Sequence, residues 1–437
     1  MTNTRQILGL AIVVVAMVLG MNSCSLYGKY QPQNTDADSI PVPAWREVFT
    51  DPYLQTYIEY ALANNLDLKI AHEHVTQAEA MLLGAKLAYL PTIQAGGSPA
   101  VSYSGGGTNA IKYGFGAASW EIDIFGRLTN QKRMANASRL EMMDWEQAAR
   151  TELIAAVAST YYQILMLQAS IVTCDSAVMN WEKSVMTMRE MKAAGMYDEA
   201  AVSQFEGSWY STRATAKSLR LDLVQAMNAM DLLLCHDGES GFNFAGLDDV
   251  LLDANVISSI NLRALRARPD VKAAEHQLEY AFYNRNYARS NCCPSISIGG
   301  TIGWGGGGLI FNAVGNLLQP LFNSGRNIAQ VRVSKSQLLE MQMNYANALL
   351  KAGTEVNNAL ASRQTANDQV ADYRGQVMAL TRALDATTTK MSLGRGTYLE
   401  VLTAQNDLLK AQFAEIENKA NILMSNVTLY QALGGGK

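Results

Sequence analysis

Apolar and polar residues alternate strictly in a few short windows of this chain. Ser295-Ile296-Ser297-Ile298 continues through Thr301-Ile302-Gly303-Trp304 with apolar residues or glycine at even positions and polar residues or glycine at odd ones. Thr92-Ile93-Gln94-Ala95 begins the same pattern and carries it to Tyr103, and Ser119-Trp120-Glu121-Ile122-Asp123-Ile124 repeats it. Period two over about ten residues fits a transmembrane β-strand, polar on one face and apolar on the other. Gly105-Gly106-Gly107 and Gly305-Gly306-Gly307-Gly308 supply the loops of two strand pairs, 92–124 and 295–322. The last of the four strands, near Phe311 to Phe322, reads as irregular because it carries Pro320. A half-buried soluble sheet would alternate in the same way.

Between these windows the chain reads as long helices. The nine prolines lie at 32, 41, 43, 52, 91, 99, 269, 294 and 320, so 100–268 and 321–437 contain none. Proline is kept out of helix interiors by its missing N–H and its clash with the preceding turn. Long proline-free runs rich in Ala, Leu, Met, Gln and Glu therefore predict long helices. One such helix fills most of the interval from Gly126 to Gly195, another that from Gly325 to Gly394. A helix of that span would be about 100 Å long and must pack along its side against neighbours.

The two halves are a duplication. Asp67-Leu68-Lys69-Ile70-Ala71 falls on Asp270-Val271-Lys272-Ala273-Ala274, and Leu90-Pro91-Thr92-Ile93 on Cys293-Pro294-Ser295-Ile296, at a shift of 203. Gly126-Arg127 falls on Gly325-Arg326, Val157 on Val356, Gly195 on Gly394 and Val202 on Val401 at a shift of 199. A register held over most of both halves is an internal repeat. The expected organisation is a signal segment at 1–23, a linker at 24–50, a first repeat at 51–236, a connector at 237–262 and a second repeat at 263–437.

Four strands cannot close into a barrel, and lipid does not tolerate open sheet edges. A membrane sheet built this way needs strands from several chains. Composition fits that picture. With 35 basic and 39 acidic side chains the formal charge is −4, which argues against a nucleic-acid partner. Hydrophobic residues make up 49% and charged residues 17%, and apolar runs of membrane-helix length are not expected beyond the N-terminus. Arg5, the apolar run Ile7 to Gly20 and Met21-Asn22-Ser23-Cys24 read as an export signal ending in a lipobox, with Cys24 the acylated first residue of the mature chain. An ordinary secretory signal would leave Cys24 incidental.

Candidate chemistry is sparse. His72 and His74 lie two apart, on different faces of a helix, which disfavours a shared metal. Neither glycine run is followed by the Lys-Ser/Thr of a phosphate cradle. Tyr103, Tyr113, Trp120 and Trp304 fit an interfacial aromatic belt. Adjacent cysteines such as Cys292-Cys293 seldom bridge each other, and packing is the plainer reading of that pair. With no nucleophile–base pair, the chain reads as a non-enzyme without cofactor or metal.

The order Trp45…Phe49…Asp51-Pro52, Leu90-Pro91, Phe125-Gly126-Arg127, Arg268-Pro269-Asp270-Val271-Lys272-Ala273-Ala274-Glu275, Gln319-Pro320-Leu321-Phe322, Gly325-Arg326, Tyr398-Leu399-Glu400-Val401-Leu402 and Leu429-Tyr430-Gln431-Ala432-Leu433-Gly434-Gly435-Gly436 resembles the TolC-like outer-membrane factors, in their lipoprotein branch. The resemblance spans essentially the whole mature chain and implies a mainly α fold with a membrane β-barrel. It implies a homotrimer, each chain giving four strands to a twelve-stranded barrel, whose long antiparallel helices form a periplasmic α-barrel. It also implies a periplasmic adaptor and an inner-membrane, proton-driven transporter as partners, and outer-membrane lipid around the barrel. The expected function is the exit duct of a tripartite efflux pump for small toxic molecules. The outer channel of a type I protein secretion system shares the fold. A structural coiled-coil lipoprotein would leave the alternating windows unexplained.

In such channels the closed periplasmic end lies at the turns between paired long helices, where acidic side chains narrow the pore. The turns here are Gly195-Met196-Tyr197-Asp198 and Gly394-Arg395-Gly396-Thr397. The resemblance places its two acidic gate positions at Glu400 and at the uncharged Thr403, and its first-turn position at Ala201, with Asp198 and Glu199 nearby. Three-fold symmetry would make a ring of three Glu400 carboxylates. Thr397-Tyr398-Leu399-Glu400 also reads as a capping box, in which Glu400 would accept the Thr397 N–H.

Overall fold

The computed structural model describes residues 28–32, 44–102, 110–236, 241, 243–250, 262–305, 308–318 and 324–435. The expected signal segment with Cys24, the glycine loop at 105–107, and Pro320 with its neighbours at 319–323 lie outside the described residues.

The described elements come in two matching series. A short helix α1 (Trp45–Val48) and α2 (Pro52–Asn64) lead into α3 (Leu66–Leu87), β1 (Thr92–Ser102), β2 (Ala110–Ile122), α4 (Arg127–Ala193) and α5 (Glu199–Leu234). A 3₁₀ turn at Leu262–Ala267 then opens α6 (Pro269–Ser290), β3 (Ser295–Gly305), β4 (Gly308–Leu318), α7 (Arg326–Ser392) and α8 (Tyr398–Ala432). Helices α4 and α7 have 67 residues each and α3 and α6 have 22 each. The intervals from Gly126 to Gly195 and from Gly325 to Gly394 are thus each filled by a single helix, about 100 Å long at 1.5 Å per residue.

Packing divides the described chain otherwise than its sequence halves. Each of two compact units takes segments from both repeats: one holds His72–Trp145 and Asp270–Ala348, the other Glu146–Pro269 and Leu349–Lys437, with shorter N-terminal pieces in each.

The first unit contains an antiparallel sheet in the order β1-β2-β3-β4. Its register sorts the side chains by face. Trp120 pairs with Ile298 and Ile122 with Ile296, while Glu121 pairs with Ser297 and Thr92 with Ser119. The apolar face is open: Ile93 is 81% exposed, Trp120 43% and Ile298 44%. The fourth strand corrects the sequence reading. It begins at Gly308 and pairs with β3 residue for residue from Ser295↔Leu318 to Gly305↔Gly308. The register shifts fall in the other two ladders, between Ala95 and Ser98 and between Gly114 and Gly116. Glycine allows the local kink there, and a Cβ on Gly116 would meet Gln94 O and Ile302 Cγ2 at 3.3 Å.

Below β2 the chain turns sharply into α4. Asp123 caps the helix, its Oδ1 accepting from Leu128 N at 3.1 Å and its Oδ2 from Thr129 N at 2.8 Å. Glu121 and Arg127 form an ion pair beside the turn. Further along, His276 on α6 ties that helix to α4, with Nε2 3.4 Å from Asp144 Oδ2 and Nδ1 3.2 Å from Glu279 Oε2. Burial alone would lower the His276 pKa, but the Glu279 hydrogen bond and the charges of Asp144, Glu279 and Glu275 outweigh it and raise the pKa above 6.5. A raised folded-state pKa gives stability that is complete below about 6.5 and is lost as pH rises through the folded value. The wild-type melting temperature should therefore fall between pH 6 and pH 8.5 by more than that of His276→Gln. Parallel pH profiles would discard this contribution.

The second unit holds the main apolar core. Trp45, Phe49, Leu54 and Ile58 pack against Ile154, Tyr161, Ile164 and Leu165 of α4 and Tyr430 of α8. This stretch corrects another expectation: an 18-residue window of α4 reaches a mean hydropathy of 1.2, apolar enough to cross a membrane by length and composition, yet 56% of it is buried inside the protein. It is a core helix. Asp51 anchors the entry by accepting from Tyr53 N at 2.8 Å, which caps α2, and from the Tyr161 hydroxyl at 2.6 Å. The Tyr161 oxygen in turn accepts from Ala245 N at 3.2 Å, which ties that residue to the long helix.

At the end of α8, Gly434 and Gly435 take left-handed backbone angles, φ +88° and +65°. The buried Arg268 guanidinium donates to Ala432 O through Nη1 and to Glu355 Oε2 through Nη2, both at 2.7 Å. A Cβ on Gly434 would stand 2.9 Å from Arg268 Cα, and one on Gly435 would stand 2.5 Å from Thr151 Oγ1.

Candidate functional site

Both turns between paired long helices are built alike. Gly195 (φ +74°) and Gly394 (φ +67°) end α4 and α7 in the left-handed region, where glycine avoids the Cβ penalty. Met196 N returns to Met191 O, and Arg395 N returns to Lys390 O, both at 2.9 Å. The next helices start at repeat-equivalent positions, after Asp198 and Thr397.

The caps differ. Asp198 Oδ1 accepts from Ala201 N at 3.0 Å, a working N-cap. Thr397 makes no side-chain cap bond; its hydroxyl donates to Glu400 Oε1 at 3.2 Å instead. The expected capping box is therefore not formed in its full sense. The Thr397 hydroxyl is turned to the carboxylate and not to the helix N–H groups, and Glu400 holds that hydroxyl and not the Thr397 N–H.

Charge pairing separates the candidates further. Glu199 pairs with Lys192 across the first turn, and Arg189 Nη2 donates to Glu206 Oε1 at 2.6 Å one layer deeper. Asp198 is engaged by its cap. Glu400 and Thr403, three residues apart on one face of α8, are both exposed, and Glu400 has no cation partner among the described residues. Of the four positions singled out by sequence, Glu400 is the carboxylate left available to a passing ion.

Aromatic packing draws the two turns together. The Tyr197 and Tyr398 rings meet edge to face, with centroids 5.6 Å apart at 82°. Beneath them Trp181, Val185, Met188, Phe205, Met391 and Val401 form a closed cluster, in which Trp181 and Phe205 meet at 5.8 Å and 68°. Gln405 is buried and accepts from Ser184 Oγ at 3.3 Å. Sequence reasoning misses these residues. The one signal it could use is that Trp181 and Phe205 are large apolar residues on the two helices that flank the Gly195 turn, where paired helices must face each other.

The described chain carries a four-stranded sheet with an exposed apolar face, and paired long helices joined at glycine turns. Residues 57–236 and 262–435 match the sequence model of a family described as outer membrane efflux protein. The chain belongs to that family. Among its curated relatives, the cation efflux system protein CusC of Escherichia coli (strain K12) is 29% identical over 451 residues, covering 96% of this chain and 98% of CusC. The toluene efflux pump outer membrane protein TtgC of Pseudomonas putida is 29% identical over 474 residues, covering 99% of this chain and 96% of TtgC. The probable outer membrane lipoprotein SilC of Salmonella typhimurium is 28% identical over 413 residues, covering 90% and 88%. Among solved structures, CusC superposes with a TM-score of 0.84 at 27% identity over 94% of this chain and 99% of that one. The open state of the Neisseria gonorrhoeae MtrE channel gives 0.81 at 25% identity over 94% and 96%.

The protein is thus an outer-membrane channel component of an efflux pump, located in the outer membrane, and its family is one of transporters. The expected fold class, an α-barrel of long helices joined to a membrane β-barrel, is that of these channels.

Proposed function

We propose that this chain is the exit duct of a tripartite efflux pump, a homotrimer that conducts small toxic molecules passively and closes at its periplasmic end. The observation that carries the reading is the sheet: four strands with two edges that are unpaired among the described residues, and an exposed apolar face. Three copies would join β4 to β1 of the next chain, remove every edge and leave twelve strands with the isoleucine face toward lipid. A periplasmic adaptor and a proton-driven inner-membrane transporter complete the pump, and acylated Cys24 anchors the chain with the aid of two or three acyl chains. Cargo class does not follow from likeness, because relatives named for cations and for toluene are equally identical to this chain.

Glu400 is the gate residue of this reading. Three carboxylates around the axis would attract cations and raise the local affinity for divalent ions. Glu400→Gln keeps the size of the side chain and can still accept from the Thr397 hydroxyl. In planar bilayers it should lower cation selectivity and weaken block by periplasmic-side divalent ions, with little change in thermal stability. Wild-type selectivity and block in this variant would remove Glu400 from the gate.

A further inference from the structure

The two helical hairpins diverge in the layer just behind their turns. At the shift of 199, Arg189 and Glu206 of the first repeat fall on Thr388 and Gln405 of the second, and Lys192 falls on Met391. In the first hairpin Arg189 Nη2 donates to Glu206 Oε1 at 2.6 Å and Lys192 pairs with Glu199, so α4 and α5 are tied by charge. The second hairpin has uncharged residues at Thr388, Met391 and Gln405. Thr388 and Gln405, at the positions of the first hairpin's ion pair, instead line a cavity of about 650 Å³ within the second unit.

Its wall takes residues from all four long helices of that unit. Met188 of α4, Phe205 of α5, Met391 of α7 and Val401 of α8 are buried and supply an apolar surface. Thr187, Thr388 and Gln405 add hydrogen-bonding groups. Gln405 is only 7% exposed; its Oε1 is taken by the Ser184 hydroxyl at 3.3 Å, while its Nε2 has no partner among the described residues. A buried amide donor without an acceptor is unfavourable, so a ligand that supplies an acceptor gains there. Two opposite charges complete the wall, Lys183 on α4 and Asp385 on α7, and neither side chain makes an ion pair among the described residues. Sites for small molecules run from about 300 to 1,000 Å³, mostly apolar with a few placed polar groups, and this cavity fits that description.

We infer that this cavity binds a small amphipathic zwitterion, with an apolar body between an ammonium and a carboxylate. Lys183 takes the carboxylate and Asp385 the ammonium, each as a charge-assisted hydrogen bond. The two methionines and Phe205 cover the body, the flexible thioethers adapting to its shape. The free Gln405 amide donates to an oxygen of the ligand. Opposite charges on separate helices favour a molecule that carries both over one that carries either alone. Because such a ligand touches α4, α7 and α8 together, its presence also ties the first hairpin to the second beside their turns.

The probes are straight-chain ω-amino acids of six to twelve carbons, titrated calorimetrically into the full chain purified in detergent. Two charges held at a set separation predict one ligand per chain and an affinity that peaks at one chain length. The methyl ester and the N-acetyl derivative of the best probe should each bind about 5-fold more weakly. Lys183→Met and Asp385→Asn, changes at exposed positions, and Gln405→Met should each weaken the best probe by about 5-fold as well. Saturated wild type should also be cut more slowly by protease at 195–198 and 394–397. No binding at any length would overturn the site. So would affinity that climbs steadily with carbon number, which marks partition into apolar surface or micelle, or wild-type affinity in any of the three variants.

Discussion

Gly434→Ala should destabilise the second compact unit by about 3 kcal/mol or more. The methyl group would stand 2.9 Å from Arg268 Cα and 3.1 Å from Pro269 Cδ, both atoms of chain that cannot turn away as a side-chain tip could. Overpacking in a tight site costs about 1–3 kcal/mol, and the left-handed angle adds about 1–2 kcal/mol for any residue with a Cβ. The same corner holds the buried Arg268 guanidinium on the Ala432 carbonyl, so displacement would also break a charge-assisted bond. Gly195→Ala is the control: its φ is +74°, but no atom stands within 4 Å of the added methyl, so only the angular cost applies. Thermal melts in detergent should separate the two by several degrees. Equal melting temperatures would show that the C-terminal glycines are not held by close approach.

Trp181→Ala should open the paired turns. Trp181 is fully buried in the cluster that joins α4 and α5 to Met391 and Val401, and removing so large a side chain costs about 3–5 kcal/mol. Limited proteolysis should then cut at 195–198 and 394–397 at low protease concentrations that leave wild type intact, while the first unit stays protected. Trp181→Phe sharpens the test. The indole nitrogen of Trp181 is buried without a hydrogen-bond partner among the described residues. Phenylalanine removes that unsatisfied donor along with some volume, and should sit close to wild type. Cleavage of the phenylalanine variant as fast as the alanine variant would refute a packing role for this residue.

Those two residues show what a single sequence can and cannot reveal. The helices are legible because proline is excluded from their interiors, and the 67-residue lengths of α4 and α7 follow from the glycines at either end. The strands are legible from period two, and their faces follow. What is not legible depends on partners far apart in the chain. Nothing local to Trp181 says that Phe205, Met391 and Val401 will surround it. Nothing near His276 announces Asp144. The fourth strand is more regular than Pro320 suggests, because its ladder with β3 is already complete at Leu318. The apolar stretch of α4 escapes notice because charged residues elsewhere in that helix dilute it. Among the candidate residues, sequence can place Asp198 and Thr397 at helix starts, but not tell that only Asp198 bonds the backbone.

The central ladder of the sheet has a consequence in time. Strand β2 pairs with β3, and partners such as Tyr113 and Trp304 belong to different repeats. A chain emerging from its N-terminus can form the β1–β2 hairpin early, but that hairpin has no third strand until β3 of the second repeat has followed. Closing so long a loop costs only about 0.6 kcal/mol more for each doubling of its length, yet it must be met before any contact rewards it. Pairings this distant in sequence are slow to form. Until then one edge and one apolar face of a half-built sheet are bare, a state prone to pair with the wrong strand. Since each compact unit takes segments from both repeats, neither half of the duplicated sequence can complete either unit by itself.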